Sequence, residues 1–170
     1  MNNTTNELEI TVTVNGQTFT DTVPVRMHAA DYIRHTLGLT GTHVGCEQGV
    51  CGMCTLEVDG AVVKSCLLLA VQLDGAAVRT VEALSEADRL SALQEAFRRN
   101  HALQCGFCTP AFLAIAKSLE QHDRQIAESE IRDEISGVLC RCTGYEGIVR
   151  AIANYLESSG KTQKIPEMSS

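Results

Sequence analysis

Eight cysteines fall into two sets of four, and none is left over. Cys46, Cys51, Cys54 and Cys66 read C-x4-C-x2-C-x11-C. Cys105, Cys108, Cys140 and Cys142 read C-x2-C, then a gap, then C-x-C. Thiolates in fours hold iron–sulfur clusters or zinc, since soft, anionic sulfur suits both. Four disulfides are the alternative. Disulfides persist in oxidising compartments. Here Met1 to Glu9 is polar, with no cationic start and no apolar stretch behind it, so no secretory signal is read. The expectation is a cytoplasmic chain whose reduced thiols bind metal.

The first set lies in a glycine-dense stretch, Thr40 to Cys54, which reads as a loop. Its spacing is that of plant-type [2Fe–2S] ferredoxins. A loop that ligates an anionic cluster must aim backbone N–H groups at sulfur. Glycine permits that close approach, and Gly45, Gly49 and Gly52 flank the ligands. Cys66 is expected to arrive from the far strand of the following hairpin. A thioredoxin-like dithiol is the competing reading of Cys51-Gly52-Met53-Cys54. That motif opens a helix, whereas a strand pattern follows here. Met53 reads as packing rather than as a ligand.

In the second set, Cys105-Gly106-Phe107-Cys108 precedes a helix start at Thr109-Pro110. Cys140-Arg141-Cys142 lies between two further helical patterns. Two helix N-termini would then point at one site and stabilise thiolates. By chemistry alone a structural four-cysteine zinc site fits too. A Rieske centre needs two histidine ligands. His28, His35, His43, His101 and His122 show no such pattern and read as surface or packing residues, with His101 nearest the second set. Glu47 and Glu57 read as surface charges.

Two regions must position these ligands. Residues 1–82 are β-rich. Leu8, Ile10, Val12 and Val14 alternate with polar residues, Asn15-Gly16 marks a hairpin, and the return strand runs from Gln17 to Val23. A short helix is expected over His28–Leu37, with Gly38 as its stop. A second hairpin spans Thr55–Val58, Asp59-Gly60 and Ala61–Cys66, and a closing strand covers Val78–Val81. Residues 83–160 are helical: a start at Ser85-x-x-Asp88 with Leu90, Leu93, Ala96 and Phe97 inward; a helix from Thr109-Pro110; a third over Glu130–Ser136, capped by Ser129; and a fourth over Gly147–Ser158. Residues 161–170 form a polar tail.

The formal net charge of -7 and the lack of a basic run exclude a nucleic-acid surface. The longest apolar run, Cys66 to Val71, is far short of a membrane span.

Three strings in order resemble the small iron–sulfur subunit of the molybdenum hydroxylases, the family of xanthine dehydrogenase, aldehyde oxidoreductase and carbon monoxide dehydrogenase. They are Gly45-Cys46-Glu47-Gln48-Gly49-Val50-Cys51-Gly52-Met53-Cys54, Gln104-Cys105-Gly106-Phe107-Cys108-Thr109-Pro110 and Leu139-Cys140-Arg141-Cys142-Thr143-Gly144-Tyr145. The resemblance spans about residues 8–160.

It implies an α+β chain: an N-terminal β-grasp, plant-ferredoxin-like domain followed by a C-terminal four-helix bundle, each with one [2Fe–2S] cluster. It assigns Cys46, Cys51, Cys54 and Cys66 to the cluster distal from molybdenum. Cys105, Cys108, Cys140 and Cys142 fall to the proximal one. It places Gln104 on the pterin of the molybdenum cofactor, with Cys142 nearby. Position 53, often Ala or Ser in the family, is Met here.

With no molybdenum-binding or flavin-binding segment, the chain is expected to be one subunit. A large subunit would hold the molybdopterin, and a medium subunit FAD; a cytochrome is another possible acceptor. Electrons from substrate hydroxylation would pass singly through the proximal and then the distal cluster. A free ferredoxin-type carrier and a zinc module remain as other readings.

Overall fold

The computed structural model describes residues 6–85 and 89–161. Five strands form one mixed sheet: β1 (Glu7–Val14), β2 (Gln17–Pro24), β3 (Thr55–Val58), β4 (Ala61–Lys64) and β5 (Ala77–Arg79), in the order β2-β1-β5-β3-β4. Both hairpins close where the sequence predicts. Val14 pairs with Gln17, and Asn15 and Gly16 take φ of 52° and 81°. Val58 pairs with Ala61, and Asp59 and Gly60 take 49° and 83°. Positive φ at both central residues is the twist-compatible two-residue turn. β5 then joins the hairpins, parallel to β1 and antiparallel to β3.

The β1 alternation buries Ile10, Val12 and Val14 but leaves Leu8 53% exposed, because the strand runs past the core. Ile33 and Tyr32 from the crossing helix fill the other side of that core with Leu56, Leu73 and Val78. This helix, α1 (Ala29–Asp31), continues as a π turn over Tyr32–Thr36 and stops at Gly38, whose φ is 73°. The closing strand is shorter than expected. It ends at Arg79, and Val81–Leu84 winds into a 3-10 turn.

Four helices form the second half: α2 (Ala92–Arg99), α3 (Thr109–Glu120), α4 (Glu128–Ile135) and α5 (Glu146–Ser158). They share one aliphatic core that includes Leu93, Phe97, Phe112, Ile131, Ile135, Ile148 and Ile152. The expected start at Ser85-x-x-Asp88 is corrected. Ser85 is extended, and Asp88 lies outside the described residues. The true cap is Ser91, whose Oγ accepts from the Gln94 N–H at 3.3 Å while Gln94 Oε1 accepts from the Ser91 N–H at 2.8 Å. Leu90 therefore precedes the helix and is 55% exposed.

We expect Ser91→Ala to cost about 1 kcal/mol. Thermal unfolding should shift down by roughly 2–4 °C, and an unmoved midpoint would show that the cap is dispensable.

The other helix ends also move. α4 starts at Glu128 after Ala127, whose side chain makes no cap bond, so Ser129 is inside the helix rather than its cap. α5 starts one residue early, at Glu146. Of the predicted tail only Lys161 is described; its carbonyl accepts from the Ile126 N–H at 2.7 Å.

The two halves touch closely. Met53 is 7% exposed and packs into the helical core, which is why a large side chain fits a position flanked by small ones. α3 also packs across β3.

Candidate metal centres

Cys46, Cys51 and Cys54 lie on the irregular loop between α1 and β3. Cys66 is not on a strand. It sits in a 3-10 turn, Ser65–Leu67, directly after β4, where Ser65 N–H and Oγ both donate to the Cys54 carbonyl. The turn brings the four thiols together as two pairs. The Cys51 N–H donates to Cys46 Sγ at 3.3 Å, and the two thiols interact. The Cys66 N–H donates to Cys54 Sγ at 3.4 Å, and those thiols interact as well. Cys66 feels the charge of Cys46 across the gap.

The electrostatics follow from the backbone. N–H groups of Cys51, Gln48 and Val50 bring the Cys46 thiol down to about 6, the Cys51 N–H contributing most. Burial pushes Cys66 up, partly offset by the N–H of Gly49. Glycine is needed at these points. Gly49 holds φ +78°, and Gly45 brings its Cα region so close that an added Cβ would lie 3.1 Å from Cys51 Sγ. Arg34 fixes the loop entry by donating to the carbonyls of Thr40 and Thr42, both at 2.7 Å. Lys64 Nζ donates to the Gly49 carbonyl at 2.7 Å.

The second set is also paired. Cys105 Sγ and Cys142 Sγ are 3.6 Å apart, and the Cys108 and Cys140 thiols hydrogen-bond. Cys108, not Thr109, is the N-cap of α3, with Thr109-Pro110 as its first turn. Burial, then Cys140, raises the Cys108 thiol to about 12. Cys140 is also desolvated, yet it is lowered. The Thr143 hydroxyl, 3.1 Å from its sulfur, and the N–H groups of Thr143 and Cys142 outweigh burial. Its hydrogen bond to Cys105 raises Cys142. Gln104 Nε2 donates to the Cys142 carbonyl at 2.8 Å, so this exposed glutamine stands beside the second set.

Paired sulfurs have a chemical meaning. A [2Fe–2S] core holds two irons, and four thiolates divide two to each. Both cysteine sets show this division. Among the described residues no three His, Cys, Asp or Glu side chains converge as ligands of a single ion. All eight cysteines are free thiols. The donor set, the pairing and the sulfur-directed N–H groups fit such a cluster at each site.

The two loops meet. The Leu139 N–H donates to the Cys51 carbonyl at 2.9 Å, and Leu139 directly precedes Cys140. His43 stacks on Phe107, with ring centroids 4.7 Å apart, and its Nδ1 lies 2.7 Å from the Phe107 carbonyl. His43 is thus a packing residue, as expected, and it joins the two loops. His101 is exposed in a turn with φ 51°.

Glu57 corrects its expectation. It is 8% exposed, accepts from Gln121 Nε2 at 3.2 Å, and has Arg79 at 3.8 Å. Glu47 is exposed as predicted. Thr143 and Tyr145 had no assigned role in the sequence, although both stand in the third motif string.

Comparison with known proteins follows the same division. A 2Fe-2S iron-sulfur cluster binding domain matches residues 12–91, and a [2Fe-2S] binding domain matches residues 80–153. These define a protein with two [2Fe–2S] domains. Caffeine dehydrogenase subunit gamma of Pseudomonas sp. strain CBB1 is 53% identical over 146 residues, covering 84% of this chain and 87% of the relative. The nicotine 6-hydroxylase small subunit of Paenarthrobacter nicotinovorans is 52% identical over 145 residues, covering 85% and 87%. Quinoline 2-oxidoreductase from Pseudomonas putida 86 superposes with a TM-score of 0.87 at 49% identity, covering 92% of this chain and 98% of that one.

The chain belongs to the family of small iron–sulfur subunits of the molybdenum hydroxylases. It is an electron-transfer subunit with two [2Fe–2S] clusters; the molybdenum cofactor and FAD belong to partner subunits in this family. Among the described residues, no helix is long and apolar enough to cross a membrane.

Proposed function

We propose that Cys46, Cys51, Cys54 and Cys66 hold one cluster, and Cys105, Cys108, Cys140 and Cys142 the other. The observation that carries this reading is the division of each set into two sulfur pairs. When bound, each cluster takes and returns one electron, so the chain relays electrons one at a time from the molybdenum site to an acceptor. The protein's own part is to bind, orient and tune. N–H groups of the first loop face Cys46 and Cys66. The N-terminal end of α3, capped by Cys108, presents partial positive charge to the second site.

The sheet half fits a β-grasp, ferredoxin-like domain over residues 1–82, and α2 to α5 fit a four-helix bundle over 83–160. Gln104 is proposed to meet the pterin held by a large partner subunit. One Nε2 N–H goes to the Cys142 carbonyl, leaving the second N–H and Oε1 to meet the pterin. The electrons would leave through the first cluster, to FAD on a medium subunit or to an alternative acceptor such as a cytochrome.

The relatives' names include caffeine, nicotine and quinoline, all nitrogen heterocycles. We assign the assembled enzyme to hydroxylation of an N-heteroaromatic substrate, in the cytoplasm.

Two experiments test this. Rapid-freeze EPR of the assembled enzyme during turnover should show two distinct [2Fe–2S] signals; a single signal would contradict the two-site relay. Gln104→Ala should leave both signals in place while molybdopterin occupancy or activity falls about tenfold or more, the scale of a lost outer-shell partner. Parent-like occupancy and activity would remove Gln104 from the pterin contact.

A further inference from the structure

In the Cys140–Tyr145 turn a hydroxyl lies against a cysteine sulfur. Thr143 Oγ1 accepts from the Tyr145 N–H at 3.2 Å and lies 3.1 Å from Cys140 Sγ. A ligating cysteine is a thiolate with no proton to give, and a hydroxyl has one proton. With Cys140 ligated, the 3.1 Å contact is a hydrogen bond only with Thr143 as its donor.

Tyr145 holds that arrangement. Its backbone takes φ 69°, unusual for a residue with a side chain. Its hydroxyl accepts from the Cys140 N–H at 2.8 Å and donates to the Val138 carbonyl at 3.2 Å. Its ring meets buried Phe112 edge-on, with centroids 6.2 Å apart and planes at 89°. Three bonds from one residue thus close the turn around Cys140, and the Tyr145 N–H occupies a lone pair of the Thr143 oxygen.

We propose that Thr143 raises the reduction potential of the second cluster by donating its hydroxyl to the Cys140 thiolate, with Tyr145 as the positioning residue. The inference rests on the ligand assignment above. A hydrogen bond to a ligand thiolate favours the more negative, reduced state. Charge-assisted bonds are also about twice as strong as neutral ones. The second cluster then holds its electron more firmly against the first. At the first set, backbone N–H groups and the neighbouring thiols serve the sulfurs of Cys46 and Cys66.

The test is an EPR-monitored redox titration of the assembled enzyme carrying Thr143→Val, with Thr143→Ser as the conservative control. T143V should shift the electron distribution between the two clusters about tenfold away from the second, which is 59 mV for a one-electron couple. T143S should restore the parent value, and the first cluster's potential should stay fixed.

An unmoved potential in T143V with both signals present overturns the proposal. So does a T143S potential that follows T143V. If T143V loses the second signal, Thr143→Ala, which adds no bulk to the turn, is titrated in its place. A second-cluster potential lowered against that of T143S supports the donor. One equal to it, or loss of the second signal from T143A while T143S shows no shift from the parent, overturns it. Failure of the ligand assignment looks different, since iron and sulfide would then fall short in the unsubstituted protein.

Discussion

Cys108→Ser should remove one cluster and leave the other, with iron falling from about four to about two per chain. Cys108 is the most constrained thiol of the second set. It is buried, caps α3 with its backbone, and pairs with Cys140. Serine is isosteric, so the helix cap and fold should survive, but its oxygen is a poor substitute for thiolate on iron.

Turnover of the assembled enzyme should fall by more than about 100-fold, beyond the 10–100-fold range of outer-shell losses. The EPR signal of the first cluster should persist. Unchanged turnover with two irons missing would show that electrons bypass the second site, and four retained irons would show that Cys108 is no ligand.

Gly52→Ala carries the second large effect, and it acts through the contact between the halves. Gly52 holds φ +72°, and a Cβ there would lie 2.3 Å from the Gly137 carbonyl oxygen and 2.9 Å from Val138 Cα. These are backbone atoms and cannot rotate away. Left-handed backbone costs an ordinary residue about 1–2 kcal/mol, and overpacking adds about 1–3 kcal/mol. The sum corresponds to a fall of roughly 4–20 °C in the unfolding midpoint.

The displaced chain is also the one that carries the bond from the Leu139 N–H to the Cys51 carbonyl. Loss of visible cluster absorbance on heating gives the midpoint. A Gly52→Ala enzyme as stable as the parent would mean that the two halves separate there without cost.

Much of the site is legible from local rules. Cysteine counting separates two sets, and the structure pairs sulfurs within each set. Asn15-Gly16 and Asp59-Gly60 set both hairpins because their chemistry is confined to two residues.

Long-range packing is what the sequence hides. Thr55, Leu56 and Glu57 are all buried, since α3 covers the face that alternation would leave wet. Glu57 therefore reads as a surface charge until the helix is in place. Cys66 leaves the strand because Ser65 binds back to the Cys54 carbonyl, a contact across eleven positions. The start of α2 was available in Ser91-x-x-Gln94, but the apolar Leu90 drew the helical pattern towards Ser85. Thr143 offers only its place beside two cysteines. Its role depends on the turn geometry that Tyr145 imposes.

The most direct measurement is iron, acid-labile sulfide, zinc and molybdenum per chain, on complex isolated gently from its own cells. The expected result is about four iron and four sulfide per copy of this chain, negligible zinc, and molybdenum in a co-purifying larger subunit. About two zinc with no sulfide would contradict it and leave a pair of four-cysteine structural sites.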